Sequence, residues 1–365
     1  MNGYAADAAM WSVITVSYNS AETLRRCWDG SAPKPYRWIV VDNASSDDSV
    51  AVAEELGATV IRLPANVGFS RANNAGLRHV ATPYVMFANP DLVVDPSGFG
   101  RLRAHLDTHG GLVAPQLLGT DGQLQPNGRG FPYVTAKLGN RKLWPFSSLH
   151  AGYRIVPGPG EARWVAWVIG AAVGARTADF TRMGGWNERF FLYYEDAEVC
   201  LRAWANDMPV AVLGDVRWTH HWGRATNTFR WSRAHSLELK AARTFYGMYP
   251  EFVLGVPGAR RRHRLAAAHQ GTRISSPRRG PCPPRISDCV DTSARSAVRP
   301  LRAPAVRSRE PAGSPHRRRG GHVRGPRRAG GGVLRGAGSA AAAAPARGRQ
   351  HGGHRGRVPG GAEFR

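Results

Sequence analysis

The chain has 365 residues, enough for one large domain or two, and a formal net charge of +24. The charge is confined: Ala259 to Arg365 holds 25 Arg, no Lys and four acids, which leaves +3 for residues 1–258. All 11 Trp lie at or before Trp231. This excludes a uniformly basic nucleic-acid-binding domain and describes an aromatic-rich globular chain with a basic extension.

Cys27, Cys200, Cys282 and Cys289 show no paired spacing of the metal-ligand kind, which favours a reducing compartment without a disulfide framework. No basic stretch precedes Met10-Trp11, so no secretory leader is expected. The longest uncharged apolar run, Trp164–Ala175, is 12 residues against the roughly 20 a spanning helix needs. These features read as a cytoplasmic protein, soluble or peripheral at the inner face of the cell membrane.

In chain order, Ser12–Val16 is β-branched and reads as a buried strand, and Ser20 N-caps a helix to about Asp29. Trp38–Val41 is a second strand, followed by a polar turn and a helix through about Leu56. Thr59–Leu63 is a third strand; a helix from about Ser70 to His79 leads to a fourth, Tyr84–Phe87, bounded by Pro83 and Pro90. This βαβ succession predicts a parallel sheet with right-handed crossovers. A helix from Pro96 to about His109 and a strand from Gly111 to Leu118 follow, and residues 119–160, rich in Gly, Pro and Arg, read as a long loop or flap. A compact stretch at Trp164–Gly170 precedes a helix from Glu195 to about Asn206 and short strands at Val210–Leu213 and Val216–Trp218. The last helix spans about Arg230 to Tyr246, and Pro257-Gly258 closes the domain.

From Ala259 onward no hydrophobic period survives. The segment reads as a basic arm for nucleic acid or anionic lipid, as a disordered extension, or as the product of a shifted frame in a GC-rich gene. Arg without a single Lys weighs against selection for charge, so nucleic acid is the weaker partner.

Asp91 lands where the Tyr84–Phe87 strand leaves its sheet, the edge at which ligands bind open α/β sheets. A divalent metal there would be held by one carboxylate, phosphate oxygens and water. The bland reading of Asp91 is a turn cap, although Asp95, before Pro96, is the better capping residue. Asp42, ending another strand, either starts a turn or accepts a hydrogen bond from a nucleobase. Asn66, Gly68 and Arg71 precede or open a helix whose N–H groups suit a diphosphate, with simple capping by Asn66 or Ser70 as the alternative. Asn73 and Asn74 are poor helix formers and suggest a polar task facing a cleft. Glu195 and Asp196 follow an aromatic approach from Trp186 to Tyr194, where apolar walls raise a carboxyl toward general-base duty; the alternative is capping of their own helix.

The ordered stretches Val16–Ser20, Val41–Asp47, Asn66–Phe69 with Asn73–Gly76, Asn89-Pro90-Asp91 and Phe190–Asp196 together resemble the family 2 inverting glycosyltransferases, in particular their bacterial rhamnosyltransferase-like branch. The resemblance covers about residues 11–250. It implies an α/β GT-A fold: a mostly parallel nucleotide-binding sheet flanked by helices (11–118), merged with an acceptor-binding half (119–258), ahead of a disordered basic tail (259–365). It implies that Ser17, Asn19 and Asp42 lie over the nucleotide base, and that Asn89-Pro90-Asp91 is a relaxed Asp-x-Asp motif holding Mg2+ or Mn2+ through Asp91. His220 or His221 adds a ligand, Thr226 stands near the phosphates, and Arg224 either pairs with the diphosphate or is simply solvated. Asp196 is the implied base and Glu195 its orienting neighbour. The implied donor is dTDP-rhamnose or a UDP-sugar, and the acceptor a cell-envelope glycan or glycolipid. A catalytically inactive nucleotide-sugar-binding protein is the rival, and a basic nucleic-acid-binding protein the second.

Overall fold

A computed structural model describes residues 3–28, 33–140, 153–221, 233–254 and 256–275. A short helix α1 (Gly3–Ala9) precedes the alternating segment β1 (Trp11–Ser17), α2 (Ala21–Cys27), β2 (Arg37–Asp42), α3 (Ser49–Glu55), β3 (Thr59–Arg62), α4 (Phe69–Leu77) and β4 (Tyr84–Ala88). These strands pair in parallel in the order β3-β2-β1-β4, with Ser17 opposite Asp42 at the carboxyl edge. Val, Ile and Phe fill β1, β2 and β4 because both faces of this part of the sheet are covered. Helix α4 lies close on the sheet at Gly76, where a Cβ would come within 2.7 Å of Ile14 and 2.9 Å of Val41.

Ser20 occupies the N-cap of α2 as expected, but its hydroxyl turns back to the Tyr18 carbonyl. The capping acceptor is Asp47, whose Oδ2 takes the N–H of Ala21, 26 residues upstream of it, at 3.0 Å. A carboxylate at this helix terminus meets the positive end of the dipole, and the choice ties the loops after β1 and β2 together.

Beyond β4 come β5 (Leu92–Val93), a 3-10 turn at Pro96–Gly98 in which Asp95 accepts the Ser97 N–H, α5 (Phe99–His109) and β6 (Leu112–Leu118). Asp95 is thus the cap that its position before Pro96 suggests. Residues 119–160 are not a structureless flap: they contain β7 (Leu124–Gln125), β8 (Gly128–Arg129), α6 (Val134–Asn140) and β9 (Arg154–Ile155), with residues 141–152 outside the described ones. Next are β10 (Ala162–Trp164), β11 (Trp167–Val168), β12 (Ala172–Arg176), α7 (Thr177–Arg182), α8 (Glu195–Ala205) and β13 (Val210–His220). The two short strands expected near 210 and 216 are one strand, broken only by a register shift between Leu213 and Arg217.

The main path of the sheet runs β10-β13-β6-β12-β4-β1-β2-β3, with β12 and the edge strand β10 antiparallel to their neighbours, and β5 on β13 and β7 on β6 add two further antiparallel strands. Strands β8, β9 and β11 make a second small sheet. One core lies on each face of the main sheet, one including α2 and α5, the other including α4, α8 and the C-terminal helices.

Helices α9 (Arg233–Met248), α10 (Glu251–Leu254), α11 (Val256–Arg262) and α12 (Arg264–His269) follow. Packing does not stop at Gly258. Ala259 and Ala266 are fully buried, the His263 ring stacks 5.1 Å from Phe252, and the His269 ring lies parallel to Trp204 at 6.2 Å. Ile274 donates its N–H to the Ala162 carbonyl, so the ordered chain extends past the boundary read from composition. Contacts of Ala, His and Gln across other helices carry no local hydrophobic period, which is why that boundary is invisible in the sequence. Residues 276–365, with the expected tail, lie outside the described residues, as do Arg224 and Thr226.

Candidate active site

The carboxyl ends of β1 and β2 gather Ser17 and Asp42, both buried. Asp42 Oδ2 accepts the Ser45 N–H at 3.1 Å, while Asp42 Oδ1 and the Ser17 hydroxyl have no hydrogen-bond partner among the described residues. Buried polar atoms of this kind are rare and mark places where a ligand or water completes the pairing. Asn19 is exposed, held at φ +50 by its N–H to Ser45 Oγ and by its side-chain oxygen, which accepts from Ser46.

The turn at the start of α4 is less open than its sequence suggests. The N–H groups of Val67, Gly68 and Phe69 go to Asn43 Oδ1, Asn66 Oδ1 and the Phe191 carbonyl. Asn43 and Asn66 also bond to each other at 2.9 Å, so Asn66 joins β2 to this turn. Arg71 is exposed and pairs loosely, at 3.6 Å, with Glu188. Asn73 is buried with its amide on the Phe69 carbonyl. Asn74 grips the segment before α8: it accepts the Trp186 N–H and donates to the Trp186 carbonyl and Glu188. The two asparagines thus bond to protein rather than face an open cleft.

Trp28, at the end of α2, donates its indole N–H to the Pro90 carbonyl at 2.8 Å and fixes the Asn89-Pro90-Asp91 turn from below. Strand β5 then pairs with β13, Leu92 opposite His220, and the His221 N–H bonds the Asp91 carbonyl. This pairing carries His220 Nε2 to 3.3 Å from Asp91 Oδ1, while Gln125 Oε1 sits 2.8 Å from His220 Nδ1. With Nδ1–H donated to Gln125, the Nε2 lone pair faces a carboxylate oxygen, an apposition that a shared cation or proton makes favourable. The donor set, one carboxylate and one imidazole, therefore fits a divalent metal whose remaining ligands come from phosphate and water. Among the described residues no group of three His, Cys, Asp or Glu forms a protein-only cage. The side chain of His221 lines an adjoining cavity of about 570 Å³ with Arg26, Thr120, Asp121 and Gln125.

On the other side of this turn, the Asn89 N–H bonds the Ala171 carbonyl, and the neighbouring Gly170 N–H bonds Asp196 Oδ2 at 3.2 Å. The Gly170-Ala171 dipeptide thereby links the Asp91 turn to the first turn of α8. Asp196 Oδ1 also receives the Ala197 N–H at 2.8 Å. Helix α8 begins after two consecutive non-glycine residues in the left-handed region, Tyr193 at φ +73 and Tyr194 at φ +66. Each costs on the order of 1–3 kcal/mol and persists only because its surroundings fix it. Trp186, against Phe87 at 5.2 Å and Phe69 at 5.4 Å, anchors the approach, and Arg202, bidentate on buried Glu198, holds the carbonyls of Met183 and Gly185.

Burial, and then the neighbouring Asp196 carboxylate, raises the Glu195 carboxyl to about 8. Burial also raises Asp196, which is half-buried, with Lys137 and the two backbone N–H groups acting in the opposite direction. Two adjacent carboxyls that shed protons reluctantly suit proton transfer near neutrality. Sequence inspection missed Gln125, Trp28 and Lys137. Gln125 and Lys137 lie in the stretch read as loop, and nothing local distinguishes an orienting Gln or an indole turned to a carbonyl.

A mixed sheet with carboxylates at the carboxyl edge of its parallel strands, and a strained, buried acidic pair on the facing helix, defines an α/β enzyme. Residues 12–156 match the family model described as glycosyl transferase family 2. Over this segment the chain is similar to the family 2 glycosyltransferases, and its α/β topology is the one that resemblance implies. It is similar to the N-acetylglucosaminyl-diphospho-decaprenol L-rhamnosyltransferase of Mycobacterium tuberculosis H37Rv, 27% identical over 213 residues, 51% of this chain and 68% of the relative. It is 22% identical to the rhamnosyltransferase WbbL of Escherichia coli K12 over 242 residues, 60% of this chain and 88% of that one. Among solved structures it aligns with residues 1–349 of Staphylococcus aureus TarS in complex with UDP-GlcNAc at 18% identity and a TM-score of 0.46, covering 71% of this chain and 70% of that one.

Proposed function

We propose that the enzyme transfers a sugar, rhamnose from dTDP-rhamnose in the first instance, with UDP-sugars as the other donor class, to a cell-envelope glycan or lipid-linked acceptor with inversion. The observation that carries this reading is the short linkage between two acidic centres: the Asp91 turn and Asp196 are joined through Gly170-Ala171. Ser17 and Asp42, with unsatisfied buried oxygens, accept from the nucleobase, and Asn19 borders the same loop. Asn66, Gly68 and Asn74 act by holding the loops around the donor, while exposed Arg71 and half-buried Asn89 are left to contact it directly.

Asp91 and His220 would hold Mg2+ or Mn2+, which when bound offsets negative charge on the departing nucleoside diphosphate. Asp196 takes the acceptor hydroxyl proton as that oxygen bonds the anomeric carbon and the bond to the diphosphate breaks, its electron pair leaving with phosphate. Glu195, its carboxyl raised by burial and then by the neighbouring Asp196, is the orienting partner of that base. A lipid-linked acceptor would be met from the membrane surface, since no helix among the described residues is long and apolar enough to cross a membrane.

The test is calorimetric binding and slow hydrolysis of dTDP-rhamnose and a UDP-sugar panel, with and without Mn2+, on the parent, Asp91→Ala and Asp196→Asn. Metal-dependent binding lost in Asp91→Ala, and hydrolysis lowered at least about 100-fold in Asp196→Asn with binding retained, is expected. A folded parent that binds no sugar nucleotide sinks the reading.

A further inference from the structure

Helices α9 to α12 combine two surface properties. The two most exposed large apolar side chains among the described residues are Leu239 of α9 and Val253 of α10, at 51% and 50%. Residues 233–275 also carry eight Lys or Arg against two acids. One of those acids, Glu251, is occupied by Arg262 at 3.0 Å and His263 at 2.8 Å. Lys240, Arg243, Arg260, Arg261 and Arg264 are exposed and make no ion pair among the described residues.

Within α9 the two properties share one face. Ser236, Leu239, Lys240, Arg243 and Gly247, spaced by three and four residues, are all exposed, and a Cβ at Gly247 would meet nothing within 4 Å. The opposite face is core. Ala241 and Phe245 are buried, and the Phe245 and Tyr246 rings stand 5.2 Å and 5.7 Å from that of Tyr194. Tyr194 immediately precedes the acidic pair, so the pair lies roughly one helix diameter, about 10 Å, beneath the exposed face.

Unpaired cations around an exposed aliphatic side chain suit the boundary between anionic headgroups and acyl chains, where the cations meet phosphate and the leucine leaves water. A nucleic acid would use the cations but leave Leu239 in water. We propose that α9 docks on an anionic bilayer through Leu239, Lys240 and Arg243, which brings the acidic pair to the surface that carries the acceptor. The choice of a bilayer rests on the lipid-linked acceptor of the proposed function.

The experiment uses the full chain with Cys282→Ser and Cys289→Ser, since Cys27 and Cys200 are buried. A nitrobenzoxadiazole label, whose emission moves to the blue in an apolar environment, is placed at Leu239→Cys or, on the opposite side of the sheet, at Thr108→Cys. The label reports contact at α9 itself, so tethering by the Arg of residues 276–365 does not imitate it. With vesicles of phosphatidylglycerol and phosphatidylcholine, emission at 239 is expected to shift to the blue while emission at 108 stays unchanged. Lys240→Glu with Arg243→Glu should raise the lipid concentration at half-shift at least about tenfold. Should Leu239→Cys fail to fold, Ser236→Cys carries the label with the same expectation. No shift on α9, whether or not the vesicles bind the chain, overturns the inference, as does a charge-reversed variant that docks like the parent. A label that responds to duplex RNA and not to vesicles assigns the face to nucleic acid and overturns it too. None of these readouts needs a sugar nucleotide: a parent that binds none fails the transfer reading, while the label still decides the docking.

Discussion

The segment from β1 to β5 and the segment from β7 to α12 meet at one site but are built by different physics. In the first, each strand is a run of β-branched or aromatic residues, each helix is short, and polar residues appear where strands end. Local sequence and local structure agree. In the second, two-residue strands and small helices are held by long-range bonds: Gln270 to Phe131, Tyr246 to Pro132, the Trp204 indole to the Val165 carbonyl. The first region supplies Ser17, Asp42 and Asp91 from a rigid sheet edge. The second supplies Asp196, Glu195, Gln125, Lys137 and His220 from pieces that exist only in the assembled fold. The comparison teaches that the proposed proton-transfer machinery depends on the part of the chain with the least local character.

The sharpest way to break this comparison is truncation. Ending the chain after Gly258 removes Ala259, His263, Ala266 and Gln270, uncovering Phe252, Phe131 and Trp204. A loss on the order of 5 kcal/mol, comparable to the stability of a whole domain, is expected. It would be read as the absence of a cooperative thermal transition by circular dichroism. A chain ending after Ser275 should melt like the parent, and equal melting of both truncations would show the C-terminal helices to be dispensable.

A smaller effect tests the seam between the regions. Gly68 has φ +86 and ψ 174, a conformation that only glycine adopts readily, and a Cβ there would lie 2.5 Å from the Phe191 carbonyl oxygen. Gly68→Ala should cost about 2–4 kcal/mol in urea unfolding. It should also lower activity, by displacing the approach to Asp196. Unfolding unchanged within error would mean that the two regions do not press together at this turn.

The smallest effect concerns Glu195. Its carboxyl binds a proton more tightly folded than unfolded, between its ordinary value near 4.5 and about 8. The native state therefore holds the extra proton across that window, and stability falls as pH rises through it. Glu195→Gln removes the penalty, so its melting temperature should exceed the parent's by a few degrees at pH 8 and match it at pH 4. An equal difference at both pH values would assign the effect to packing.

Much of the first region was legible. Alternating strands and helices, their parallel pairing and the placement of Asp42 and Asp91 at strand ends all follow from runs whose period matches their structure, as does the helix carrying Asp196 in the second region. Three readings there gave way to tertiary contacts. Ser20 lost its capping task to Asp47 from the next loop, and the N–H groups after Asn66 were taken by Asn43, Asn66 and Phe191. Asn73 and Asn74 bond to protein instead of opening onto a cleft. In the second region the loop at 119–160, the split strand and the domain end at Gly258 were misread.

By itself, the sequence determined the α/β alternation, the carboxylates that end its strands and the acidic pair that begins α8, because backbone propensity and burial pattern are properties of neighbouring residues. Only the tertiary structure decided that His220 rather than His221 faces Asp91, that Gln125 orients it, that Tyr193 and Tyr194 turn left-handed, and that Lys137 lies over the Tyr194 ring. Each depends on groups tens of residues apart meeting within a few ångströms, and no local period records such a meeting.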